Sequence, residues 1–131
     1  MTAEEIKLSL PALPEYARLA RLAVASLATN VGFTYDEVED LRIAVDEACA
    51  MLLAQAVPGA ELECTFELTG DAIAVSVTVP TLEGELPARD TFAWTVLSAL
   101  AGEVDSSVDA DRRVTLTMLK RRGSHDTLAA R

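Results

Sequence analysis

Hydrophobic and polar positions repeat with two different periods along the chain, and the switches between them predict seven elements. Ile6, Leu8 and Leu10 alternate with Lys7 and Ser9, a two-residue period that reads as a short strand ended by Pro11. Pro14 then stands where the first turn of a helix tolerates a missing amide donor. Tyr16, Leu19, Ala20, Ala23, Leu27 and Val31 follow at helical spacing, and Gly32 supplies a stop. The next helix start is the clearest local signal: Thr34 and Glu37 have capping-box spacing, with Phe33 and Val38 at the staple positions around them. Behind that start, Leu41, Val45, Ala48, Cys49, Leu52 and Ala56 form one apolar stripe that ends near Pro58-Gly59.

From there the period drops to two. Leu62, Cys64, Phe66 and Leu68 alternate with Glu61, Glu63, Thr65 and Glu67; after a Gly70-Asp71 turn, Ile73, Val75, Val77 and Val79 continue the pattern. This predicts a hairpin with one buried face. Thr81 to Asp90 holds Gly84, Pro87 and three acidic residues and reads as a loop. A third helix is expected over Thr91 to Val104, burying Phe92, Val96, Leu97, Leu100 and Val104; Val114, Leu116 and Met118 make a last strand. The order β-α-α-β-β-α-β, without repeats or a long linker, predicts an α+β fold: a two-layer sandwich with helices on one face of a mixed sheet. One domain is expected over residues 1–120, followed by a polar, disordered tail over 121–131.

Composition narrows the setting. Half of the 131 residues are hydrophobic, enough for a core, yet the longest apolar runs fall well short of the ~20 residues of a membrane span. The N-terminus has no basic region of a secretory signal, and the two isolated cysteines, Cys49 and Cys64, suggest buried reduced thiols, so a cytoplasmic location is expected. A formal net charge of −10 and no basic stripe argue against direct nucleic-acid binding. That charge suits a basic protein partner, and equally a merely soluble acidic protein. His125 has no companion ligands for a metal, and no Ser/His/Asp constellation is present.

Three segments carry a family resemblance. They are Ala20-Arg21-Leu22-Ala23-Val24-Ala25-Ser26, then Asp40-Leu41-Arg42-Ile43-Ala44-Val45-Asp46-Glu47-Ala48-Cys49, then Trp94 through Val104. In order and spacing they resemble the RsbW-type anti-sigma serine kinases, a branch of the histidine-kinase-like (GHKL, Bergerat-fold) ATPases, and most of all their divergent actinobacterial members. The resemblance spans about residues 4–120. It implies the Bergerat fold and a protein that holds an RNA polymerase sigma factor inactive until an anti-anti-sigma antagonist of STAS type releases it. It also implies a homodimer, and for many members a serine kinase that phosphorylates the antagonist with Mg-ATP.

On a helical wheel Asp40, Ala44, Glu47, Met51 and Gln55 share one flank of the second helix. The resemblance places that flank towards nucleotide, with Glu47 as general base and an asparagine four residues on as magnesium ligand. Glu47 suits the base role and equally that of a solvated helix carboxylate. Met51 stands at the asparagine position, and a soft thioether does not replace the hard oxygen that magnesium takes; Met51 also reads as ordinary packing. Gln55 stands where the family often has histidine. The adenine-holding aspartate and glycines have no counterpart in Val77-Thr78-Val79-Pro80-Thr81-Leu82-Glu83-Gly84, and Thr91-Phe92-Ala93-Trp94 replaces a glycine-rich phosphate lid. Phe92 and Trp94 fit either core packing or a partner surface. Of the family's ATP and magnesium site, only the base position is kept.

For partner contact the resemblance points to the first helix and the lid edge. Arg21 matches a family contact position, and Arg18 lies on the same side, forming a small basic spot on an acidic protein. The same pair reads as a solvated helix face with ordinary ion pairs. Three functions therefore stand at this stage: a sigma-sequestering regulator that works by binding alone, an active Mg-ATP-dependent serine kinase with Glu47 as base, and a GHKL-like domain with an unrelated target.

Overall fold

The computed structural model describes residues 4–123. The expected tail from Ser124 onward, with His125, and the first three residues lie outside the described residues. The chain forms β1 (Glu4–Pro11), α1 (Pro14–Val31), α2 (Tyr35–Leu53), β2 (Glu61–Leu68), β3 (Ala72–Pro80), α3 (Phe92–Ala101), β4 (Glu103–Val108) and β5 (Arg113–Arg121). The five strands make one sheet in the order β1-β2-β3-β5-β4. Every pair of neighbours is antiparallel, where a mixed sheet is expected from the sequence. The reason lies in the connections. Two helices between β1 and β2 carry the chain down and back, so β2 starts beside the end of β1, with Pro11 opposite Glu61. The single helix α3 leaves β4 parallel to β3, but β5 lies between them.

The α+β two-layer sandwich is the architecture expected from the pattern. Leu62, Cys64, Phe66 and Leu68 of β2, Ile73, Val75, Val77 and Val79 of β3, and Val114, Leu116 and Met118 of β5 are buried against Leu41, Val45, Ala48 and Leu52 of α2 and Leu97 of α3. Each such side chain contributes about 1.5–3 kcal/mol on burial. The opposite sheet face is polar, with hydroxyl pairs across the strands at Ser76–Thr117 (3.4 Å) and Thr78–Thr115 (2.7 Å).

The helix starts behave as their sequences dictate. Thr34 Oγ1 accepts from Glu37 N at 3.2 Å while Thr34 N donates to Glu37 Oε1 at 2.8 Å, closing the capping box, and Phe33 and Val38 are buried beside it. Gly32 ends α1 with a left-handed φ of 97°.

Four details depart from the sequence reading. The buried stripe of α1 is Ala17, Ala20, Val24 and Ala28, leaving Tyr16 and Leu19 exposed. Small residues let α1 approach α2 closely, and the larger ones turn outward. The predicted third helix breaks at Gly102, whose φ is 84° and where a Cβ would meet Leu119 O at 2.7 Å; the chain reverses there into β4, an edge strand with no counterpart in the predicted order. Phe92, expected in the core, is 83% exposed at the first position of α3. Finally, β5 ends at Arg121, the first residue of the expected polar tail, and Lys120 before it faces inward and is buried.

Cys49 and Cys64 are buried free thiols within hydrogen-bond reach of one another. That bond, and then burial, push the Cys49 thiol well above its ordinary value. No Cα of α2 comes within 8 Å of one in β2, beyond the ~7 Å limit for a disulfide without backbone movement.

Candidate functional site

The flank of α2 that begins at Asp40 is brought to one side of the helix layer, and its members are used in different ways. Asp40 Oδ2 lies 3.6 Å from the buried ammonium of Lys120, which also donates to Leu100 O at 2.9 Å. Ala44 is fully buried. Glu47 is half-buried, and its carboxylate has no hydrogen bond or ion pair among the described residues. Met51 is half-buried and packs against the core, which is the packing reading of that residue. Gln55 lies two residues beyond the end of α2, and its Nε2 donates to Glu85 O at 2.7 Å.

The segment that leaves β3 is tied to its surroundings. Val57 N donates to Pro80 O at 3.0 Å, and Ala56 bridges to Thr81. Thr81 is buried; its amide (3.1 Å) and hydroxyl (2.7 Å) both donate to Arg112 O, and the hydroxyl accepts from Gly84 N at 2.7 Å. Further along, Arg89 reaches Asp105 Oδ1 at 3.1 Å and lies over the Trp94 ring, 4.7 Å from its centroid. Thr91 caps α3 by accepting from Trp94 N at 3.1 Å. Trp94 is a core residue, 7% exposed, so of the aromatic pair one packs inward and the other, Phe92, faces solvent.

These residues do not fit Mg-ATP. A thioether occupies the metal-ligand position, Gln55 spends its donor on a backbone carbonyl of the chain, and Trp94 with its cap fills the place of a glycine-rich lid. Among the described residues no cluster of His, Cys, Asp and Glu suits a metal ion.

On the other side of the helix layer, Arg18 is exposed and donates from Nε to its own helix at Glu15 O, 3.1 Å away. Arg21 is half-buried and faces Asp46 of α2 at 3.5 Å, so its charge is partly answered within the protein. The two arginines are thus close in sequence but differently committed. Sequence reasoning missed their apolar neighbours: Tyr16, Leu19 and Leu22 are exposed on α1 at 39%, 42% and 57%. The signal was present, since Ala17, Ala20, Val24 and Ala28 form a second helical stripe that competes with the one chosen. An apolar groove of about 460 Å³ between α1 and α2 is lined by Pro14, Ala17, Asp46, Ala50, Leu53 and Ala54.

A two-layer sandwich, one antiparallel sheet with its helices on one face, defines a class. Residues 10–91 match the histidine kinase-like ATPase domain, and the chain belongs to that family. Within it, the chain is 33% identical over 104 residues to the anti-sigma-F factor RsbW of Mycobacterium tuberculosis, covering 79% of this chain and 62% of that protein. It is 38% identical over 78 residues to the serine-protein kinase RsbW of Bacillus subtilis, covering 57% of this chain and 49% of that protein. The chain thus spans between about half and 62% of the length of these relatives. A solved structure of the RsbU and RsbW domains of a Mycobacterium tuberculosis protein shares the fold, with a TM-score of 0.70 and 17% identity, over 91% of this chain and 32% of that one. Among the described residues, no helix is long and apolar enough to cross a membrane.

Proposed function

We propose that this chain is an anti-sigma regulator that acts by binding: it sequesters an RNA polymerase sigma factor and yields it to an anti-anti-sigma antagonist of STAS type, without phosphotransfer. The likeness to an anti-sigma-F factor over most of the chain supports the first part. The observation that carries the second is the commitment of the α2 flank, with Met51 half-buried against the core and Gln55 bonded to Glu85 O. The exposed side of α1, with Arg18, Arg21, Leu19 and Leu22, is the contact surface in this reading, and the protein works as a cytoplasmic homodimer. Two measurements test it together. Purified chain is titrated with Mg-ATP to about 1 mM, and its affinity for purified sigma factor is measured with and without nucleotide. No nucleotide heat and one unchanged sigma affinity are expected. A sigma affinity that requires Mg-ATP sinks the binding-only reading, and no affinity for any sigma factor sinks the anti-sigma reading.

A second reading is supported by Glu47, whose half-exposed carboxylate is free to take a proton, and by likeness to a serine-protein kinase. In that case the chain transfers phosphate from ATP to its antagonist, and Glu47→Ala abolishes the transfer while leaving sigma binding intact.

A further inference from the structure

Residues 81–91, between β3 and α3, are held at intervals along their whole length. Thr81 is fixed to Arg112 O by two hydrogen bonds, and Leu82 O accepts from Arg112 Nη1 at 2.8 Å. Gly84 N donates to Thr81 Oγ1, and Glu85 O accepts from Gln55 Nε2. Arg89 is held by Asp105 and Trp94, and Thr91 caps α3. The longest stretch without a tie is Leu86-Pro87, since Thr91 Oγ1 donates to Ala88 O at 3.3 Å, and Pro87 has its φ fixed by its ring. The segment is also packed: a Cβ at Gly84, whose φ is 68°, would lie 3.2 Å from Val108 Cγ2 and 3.4 Å from Arg112 Cβ.

Arg112 itself is informative. It is the one non-glycine residue with positive φ among the described residues, at 63° in the turn between β4 and β5. That conformation costs an L-residue free energy and persists where surrounding contacts fix it. The guanidinium on Leu82 O and the two donors on Arg112 O supply those contacts.

We infer that residues 81–91 form a fixed strap across the C-terminal end of the α2 flank, ordered by Gln55 and Arg112 of the chain itself and closed without any ligand. The inference rests on the reading that the nucleotide site has lapsed, and gives Gln55 a positive role at a position that otherwise reads only as a lost ligand. Here the protein's own amide and guanidinium keep the strap in one arrangement, so the surface it presents, including exposed Leu82 and Leu86, is the same with and without nucleotide.

The test is backbone and side-chain nuclear relaxation on the full chain, comparing wild type with Gln55→Glu and Arg112→Gly. Gln55→Glu keeps the size of the side chain and removes the donor; Arg112→Gly removes the guanidinium and suits the positive φ. In wild type, amides of residues 83–90 should show order parameters near ~0.85, falling below ~0.6 around Glu85 in the first variant and around Leu82 to Gly84 in the second. Wild-type values already below ~0.6, or unchanged values in both variants, overturn the strap. The same samples then receive Mg-ATP. Strap order that appears only with nucleotide overturns the inference. Shifts at Glu47 and Met51 with strap order unchanged leave the strap standing and remove only the lapsed-site reading.

Discussion

At its N-terminal end α2 is anchored by a buried carboxylate; at its C-terminal end it finishes against a surface strap. The first end is anchored by Glu37, which is 0% exposed, accepts from Thr34 N with one oxygen and from Gly123 N at 2.9 Å with the other. One turn further, Asp40 meets the buried ammonium of Lys120. These ties join α2 to the loop from α1, to the end of β5 and, through Leu100 O, to α3. The second end has two backbone ties, Val57 N on Pro80 O and the Ala56–Thr81 bridge, and one side-chain tie, the solvent-exposed Gln55 amide on Glu85 O. Buried polar groups are costly to orphan, whereas a solvent-exposed hydrogen bond is readily replaced by water. The N-terminal end of α2 is therefore the one the fold depends on more, and the C-terminal end tolerates change. Met51, between the two ends, is partly buried against the core.

The sharpest way to break that contrast is to cut each end in turn. Glu37→Ala removes the buried carboxylate that accepts from the part-buried amides of Thr34 and Gly123. A loss of about 3 kcal/mol is expected, or roughly 10 °C in melting temperature. Gln55→Glu should lose less than about 1 kcal/mol. Equal losses in urea titrations of the two variants would mean that both ends of α2 are structural. Next in size is Lys120→Met, which keeps the apolar stem and removes the ammonium shared by Leu100 O and Asp40. A loss of about 1–2 kcal/mol is expected, with the Asp40 carboxylate turning to water because it is already partly exposed.

The first end was readable in the sequence and the second was not, for a physical reason. A capping box is a local device: Thr34 and Glu37 are three residues apart and act through their own backbone, so spacing alone predicts both bonds. The Gln55 bond joins residues 30 apart, and its acceptor is a backbone carbonyl that leaves no mark in the residue type. The same limit hid β4. Its inward positions read Val104, Ser106 and Val108, too polar for a strand signal, while Val104 continues the helical period of α3; only Gly102 marks the break. In α1 two helical stripes overlap, and burial by size favours the wrong one because close helix approach selects alanine. The sheet, by contrast, was legible throughout β2 and β3, where every second residue is apolar.

A smaller effect sharpens the contrast from the strap's side. Arg112→Gly relieves a left-handed φ of 63°, worth about 1 kcal/mol, and loses the bond to Leu82 O, worth about the same. Net stability should change by less than about 0.5 kcal/mol while the strap loosens. A clear gain in stability would show that the guanidinium contributes little, and that the strap is held by Gln55 and Thr81 alone.

The smallest expected effect is a pH response in the turn that positions Arg112. Asp109 Oδ1 accepts from Arg113 N and Asp111 N, both at 2.9 Å, and Oδ2 lies 2.8 Å from Arg113 Nε. The Arg113 amide above all, and then its guanidinium, hold the Asp109 carboxyl below the ordinary aspartate range. A carboxyl depressed in the folded state contributes stability that is fully present above the unfolded value near ~4 and is lost as pH falls through the folded value. Arg113 stays charged throughout, so protonation of Asp109 is the event that loosens the turn. Amide shifts of Asp111 and Arg113 should therefore titrate together, with a midpoint below that of an ordinary aspartate, and the signals of Leu82 and Gly84 should follow them if the turn and strap move as one. In Asp109→Asn the acceptor for the two amides is kept and the charge is gone, so the titration should vanish while the strap stays ordered. Strap signals that ignore the Asp109 midpoint would separate the turn from the strap, leaving Arg112 held by its own backbone contacts to Thr81.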